Sequence, residues 1–178
     1  SDTHSFPTRR SSDLSLVRNG QTSEALARLE ETRAPEDPAW LQVYAHALLG
    51  EGREREAAEM FVAAGQKVMH PDILRKAGDL SLRANEWDQA EASYQKILEL
   101  NPADSAALHN LGSLHAQRGE YSKACTYFGR LAEAEPGEEA HRLNLAMCQK
   151  EAGDFAESLS TYESISGDAA DLPVVLGK

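Results

Sequence analysis

Three columns of residues keep step along this chain, and that regularity restricts what it can fold into more than any other feature. One column runs Gly20, Gly52, Asn85, Gly119, Gly153. Five residues further on a small residue recurs: Ala25, Ala57, Ala90, Ala124, Ser158. Four beyond that a large one recurs: Leu29, Phe61, Tyr94, Phe128, Tyr162. The spacings are 32, 33, 34 and 34 residues in each column. A fixed period of this length marks stacked copies of one supersecondary unit, each burying its apolar face only against its neighbours.

The stretch from Ser105 to Glu138 shows what the unit is. Leu108, Leu111, Gly112 and His115 fall on one helical stripe, and Tyr121, Ala124, Phe128 and Leu131 on a second. Both follow the period of an amphipathic helix. Gly119 breaks the stretch in the middle and Pro136-Gly137 closes it. The unit is therefore a helical hairpin. Helices of about 12–15 residues are marginal alone in water, so packing must hold them. Gly78, Gly112 and Ala146 sit where paired helices should approach most closely, and Tyr94 and Phe128 are the large knobs set against them. Trp87, Tyr121 and Phe155, each two residues after the turn column, read as core packing at the start of the second helix.

The unit resembles a tetratricopeptide repeat. The residues that carry the resemblance are Leu108, Leu111-Gly112, Gly119, Tyr121, Ala124, Phe128 and Pro136. The preceding unit matches at Leu74, Ala77-Gly78, Trp87, Ala90, Tyr94, Ile97 and Pro102, and the following one at Leu145-Ala146, Gly153, Phe155, Tyr162 and Ile165. The resemblance implies an all-α solenoid, a right-handed superhelix of helix-turn-helix hairpins, over residues 14–178. The expected units are a partial repeat over 14–37, repeats over 38–70, 71–104, 105–138 and 139–169, and the start of a further one over 170–178. The 38–70 repeat is one residue short and lacks the closing proline. Asp37-Pro38 is a strong helix start, a capping carboxylate followed by proline at the first turn, and Thr22 is a fair N-cap for the helix after Gly20.

Residues 1–13 stand outside the period. His4 to Leu14 resembles the translation of a common sequencing-library adapter, so residues 1–13 are expected to be a non-native, disordered arm, with Leu14 to Arg18 the tail of a first helix cut short. At the other end, Leu172 to Gly177 reads as the opening of one more helix. Unfinished ends of this kind predict end-to-end self-association.

Charge and chemistry narrow the function. The 178 residues carry 29 Asp and Glu against 18 Lys and Arg, a net charge of −11. Such a surface argues against nucleic acid or an anionic membrane as partner. No stretch has the run of about 18 apolar residues needed to span a bilayer. Cys125 and Cys148 form no CxxC and read as small buried hydrophobes, leaving the compartment, cytoplasmic or bacterial periplasmic, open. The six histidines form no metal-binding spacing, and His115, on a packing stripe, reads as structural. No catalytic constellation, phosphate loop or cofactor motif is present, so the expected function is non-catalytic.

Function must then come from a surface. In tetratricopeptide proteins the first helices of successive units line a concave groove. By register this resemblance implies Gln42, His46, Arg75, Asp79, Arg83, His109, Asn110, Ser113, Leu143, Asn144 and Met147 as groove residues. Asn110 and Asn144 lie 34 apart, and their amides could hold an extended backbone by donating and accepting together. Arg75, Asp79 and Arg83, spaced by four, read as a salt-bridged stripe. The expected activity is a scaffold or adaptor binding a protein or peptide segment. Two alternatives are a substrate-recruiting arm of a larger enzyme, such as a glycosyltransferase, and a structural part of a bacterial envelope assembly.

Overall fold

The computed structural model describes residues 6–167, and among them the chain forms ten helices and no strand. The helices are α1 (Phe6–Arg18), α2 (Thr22–Thr32), α3 (Pro38–Gly50), α4 (Glu54–Val68), α5 (Pro71–Arg83), α6 (Trp87–Leu100), α7 (Ser105–Gln117), α8 (Tyr121–Ala134), α9 (Glu139–Ala152) and α10 (Phe155–Gly167). Each odd-numbered helix pairs with the one that follows it, giving five hairpins. The chain divides into two compact units, one running to Pro102 and the other beginning at Ala103.

The turn column is where the backbone turns left-handed. Gly20, Gly52, Gly119 and Gly153 have φ between 73° and 90°, and Asn85 has φ 60°. Side chains rarely adopt this region, and glycine and asparagine enter it at least cost. In the short repeat, α4 instead runs on to Val68, and Met69 turns left-handed with φ 48°, its N–H bonded to the Gly65 carbonyl.

Three of the first helices, α3, α5 and α7, start on side-chain caps. Asp37 Oδ1 accepts from the Ala39 N–H at 3.0 Å with Pro38 at the first turn, as expected. Asp104 Oδ1 accepts from the Ala107 N–H at 2.9 Å, and His70 Nδ1 from the Asp72 N–H at 3.3 Å ahead of Pro71. Thr22 is not a cap. Gln21 holds that position without a side-chain capping bond, its Nε2 donating instead to Glu24, while the Thr22 hydroxyl donates to Glu51 of the next hairpin.

In the first unit, Leu29, Leu41, Leu48, Phe61 and Leu80 form the buried core, with Leu14, Leu16 and Val17 of α1 packed on its edge. This corrects the expected start of the fold. Residues 6–13 are helical, so α1 has 13 residues, as many as α3. Phe6 to Asp13 lack an apolar period, but continuing the helix from Leu14 keeps their backbone hydrogen-bonded. Residues 1–5 and the expected helix opening at Leu172 lie outside the described residues.

In the second unit, Leu108, Leu111, Leu114, Phe128 and Leu131 are buried. His115 is 1 % exposed, its ring stacked on Tyr127 with centroids 5.4 Å apart and its Nδ1 2.8 Å from Glu120 Oε2. Two expectations fail here. Cys125 and Cys148 are not separate hydrophobes but a disulfide joining α8 to α9, their Cα atoms 5.5 Å apart. The aromatics after the turn are not uniformly core: Trp87 and Tyr121 are half-buried, and Phe155 is 67 % exposed. Among the described residues no helix follows α10 to stand against Phe155 as α9 stands against the start of α8.

The closest approaches within hairpins are those read from the sequence. A Cβ on Gly78 would lie 2.6 Å from the Tyr94 ring, and one on Gly112 2.7 Å from the Phe128 ring. Gly129, also inside a helix, has its nearest such neighbour at 4.0 Å. Alanine gains about 1 kcal/mol over glycine in a helix, whereas overpacking costs about 1–3 kcal/mol. Gly112→Ala should therefore destabilise the second unit and Gly129→Ala stabilise it, read as opposite shifts of the urea midpoint at unchanged slope.

Two carboxylates of the second unit contribute to its acid limb. Lys123 Nζ and the His115 ring bond Glu120, and Ser105 and His141 bond Glu135, holding both carboxyls below their ordinary 4.5. With the folded value depressed, the unfolded chain takes up protons first. This stabilisation is complete above pH 4.5 and is lost as pH falls through the depressed values. Urea unfolding at stepped pH should show the loss below 4.5, and Glu120→Gln with Glu135→Gln should flatten that limb.

Candidate functional site

The sequence-derived groove residues all lie on first helices of hairpins, but their surroundings differ between the units. In the first unit they are largely engaged by the protein itself. Gln42 Nε2 donates to the Pro38 carbonyl at 3.2 Å. His46 is half-buried, edge-on to Phe61 with centroids 5.1 Å apart. Burial first, and the charge of Lys76 second, hold its imidazole below the ordinary 6.5. Lys76 Nζ itself lies 5.2 Å from the centre of the Phe61 ring.

The expected Arg75–Asp79–Arg83 stripe is not a closed set. Arg75 pairs with Asp72 at 3.0 Å on its own helix. Asp79 accepts the Tyr94 phenol at 2.6 Å, and Arg83 reaches across to Glu54 on α4. These partners come from the following and preceding helices, which four-residue spacing on one helix does not report.

The second unit holds a cleft of about 290 Å³. One wall is Ser113, Ala116 and Gln117 of α7, and the other is Asn144, Met147, Cys148 and Glu151 of α9. Tyr121 and Phe128 of α8 complete the lining. Three sequence-derived residues, Ser113, Asn144 and Met147, thus come together. Met147 is 52 % exposed and Leu143, one turn earlier on α9, is 43 % exposed. His109 is exposed, its Nε2 3.5 Å from Ser113 Oγ and its ring edge-on to Phe128 at 6.1 Å. Asn110 is half-buried and does not line the cleft.

The cleft is mostly apolar, with an amide at each side (Gln117 and Asn144) and a carboxylate (Glu151) on the α9 wall. That combination suits an apolar side chain whose flanking backbone finds donors and acceptors at the wall. Register on the first helices missed Gln117, Cys148 and Glu151, which lie on those helices, and also Tyr121 and Phe128 of α8. A first helix is spaced from its successor by the second helix between them, so residues of that second helix floor the gap. Among the described residues no group of three or more His, Cys, Asp or Glu stands together as a metal site, and no helix is long and apolar enough to cross a membrane.

Comparison with known proteins bears on the fold. Residues 75–139 and 142–168 each match a family model described as tetratricopeptide repeat. A search of curated proteins finds no match. Among solved structures, a crystal structure of MamA protein superposes with a TM-score of 0.71 at 14 % identity, over 97 % of this chain and all of that one (100 %). A MamA AMB-1 structure gives 0.68 at 17 % identity, over 95 % of this chain and 96 % of that one. A tetratricopeptide repeat protein from Parabacteroides merdae ATCC 43184 gives 0.65 at 22 % identity, over 90 % of this chain and 65 % of that one. At such identities the likeness is one of fold. The repeat matches, the ten helices and these neighbours agree: the chain is an all-α solenoid of tetratricopeptide repeats.

Proposed function

We propose that the chain is a non-catalytic interaction scaffold, and that the cleft of its second unit receives an apolar side chain of a peptide or protein segment. The observation that carries this is the half-exposed Met147 beside Asn144, over a floor of Tyr121 and Phe128. A thioether at the edge of an aromatic floor adapts to varied apolar groups, and the amides of Gln117 and Asn144 can hold the neighbouring backbone. Exposed apolar surface beside hydrogen-bonding groups is the signature of a recognition site. His109, Asn110 and Leu143 extend this surface. In the first unit, Gln42, His46, Arg75, Asp79 and Arg83 are proposed as contacts for polar ligand groups.

A phage-displayed random-peptide library panned on the oxidised protein tests this. Enriched peptides should share an apolar anchor residue. Their affinity by calorimetry should fall at least tenfold, about 1.4 kcal/mol, on Met147→Asp, and measurably on Asn144→Ala. Both variants should keep the helical circular dichroism of the parent. No enrichment, or enriched peptides that bind Met147→Asp as well as the parent, would overturn the assignment.

A further inference from the structure

The cleft and the disulfide share an atom group. Cys148 lines the cleft and is bonded to Cys125 on α8. It follows Met147 directly and stands one helical turn after Asn144, so whatever holds Cys148 also places these two lining residues. The cross-link ties α9 to the helix that floors the cleft.

The Cys148 sulfur also has a second place to bond. Its Sγ lies 3.1 Å from the carbonyl oxygen of Tyr121, another lining residue. A disulfide sulfur has no proton to donate there, but a thiol has. Oxidised, Cys148 is held by Cys125; reduced, its S–H can donate to Tyr121. The chain has 2 cysteines in all, so within one molecule no other pairing competes. Cys148 is 5 % exposed and Cys125 half-buried, which leaves the Cys125 sulfur the more open to an attacking thiolate.

We infer that Cys125 and Cys148 are a reversible redox-modification site that controls the cleft, the disulfide keeping it in its binding shape and reduction by a dithiol weakening it. The chemistry balances without a further co-reactant. The dithiol breaks the one S–S bond, two electrons and two protons pass to the two cysteine sulfurs, and the dithiol leaves as a cyclic disulfide. The inference rests on the cleft being a peptide site, but the linkage between redox state and cleft shape can be read without any ligand.

The experiment equilibrates the whole chain in graded mixtures of reduced and oxidised dithiothreitol, then alkylates it. Mass spectrometry should show a single two-electron transition, from no alkyl group to two. The ¹³C-methyl NMR signal of Met147 should move with the same midpoint. Peptides selected on the oxidised protein should bind the reduced protein at least tenfold more weakly. The Cys125→Ser/Cys148→Ser variant should bind weakly under both conditions and lose its redox dependence. Two free thiols in every mixture would overturn the site. A redox transition that leaves the Met147 methyl and the peptide affinity unchanged would overturn the control. If no peptide binds in either state while the methyl still shifts, the peptide reading fails and the redox coupling of the cleft stands.

Discussion

The fold depends on one recurring contact, a small residue on the first helix of a hairpin pressed by an aromatic ring from the second. Gly78 meets Tyr94, and Gly112 meets Phe128. Tyr94 is fully buried and Phe128 is 6 % exposed, so each ring removes an aromatic face from water that neither helix could cover alone. The absence of a side chain at the glycine is what lets the two axes come close enough. In the next hairpin Ala146 takes the small position and is itself fully buried. Since isolated helices of this length are marginal, these contacts make helices of the segments as much as they pack them.

From that contact the placement of the cleft follows. The second helix is drawn against its own partner by the ring, and within a unit its other side meets the first helix of the next hairpin, as α4 meets α5 and α8 meets α9. Where α8 does this, Tyr121 stays half-buried and α7 and α9 stand apart with α8 between them. The surface charges follow the same order. Lys67 with Glu36, Arg55 with Glu86 and Arg83 with Glu54 each join residues about one repeat apart. Exposed pairs of this kind contribute about 0–1 kcal/mol each. Their weight lies in favouring one register between neighbouring hairpins over a slipped one.

How far the sequence is legible divides along the same line. Whatever depends on a side chain's place within one hairpin is readable: the turn at Gly119 and its counterparts, the Gly112–Phe128 approach, the Asp37 cap, and His115 in the core. What depends on the neighbouring hairpin is not. Thr22 is a good capping residue by type, but Glu51 of the next hairpin takes its hydroxyl. Cys125 and Cys148 are 23 residues apart, with no motif to join them, and only the facing of α8 and α9 does so. Phe155 occupies a column half-buried in its earlier members Trp87 and Tyr121, yet it is 67 % exposed, which its place in the column does not report. The site is split in the same way: Ser113, Asn144 and Met147 are visible in the register of first helices, while the aromatic floor is not.

A repeat array also localises the effect of a cross-link. Its stability is close to a sum over units and nearest-neighbour interfaces, so a bond between α8 and α9 acts mainly on the interface it spans. In a globular core the same bond would change the stability of the whole domain, and a redox change could not alter a binding surface without risking the fold. Here the Gly112–Phe128 contact of α7–α8 and the buried Ala146 of α9 lie apart from the sulfurs. What the disulfide governs is the angle and distance between two hairpins, and those are the quantities that shape a cleft between α7 and α9. The architecture therefore allows a covalent bond to be made or broken at a recognition surface while the helices on either side of it remain folded.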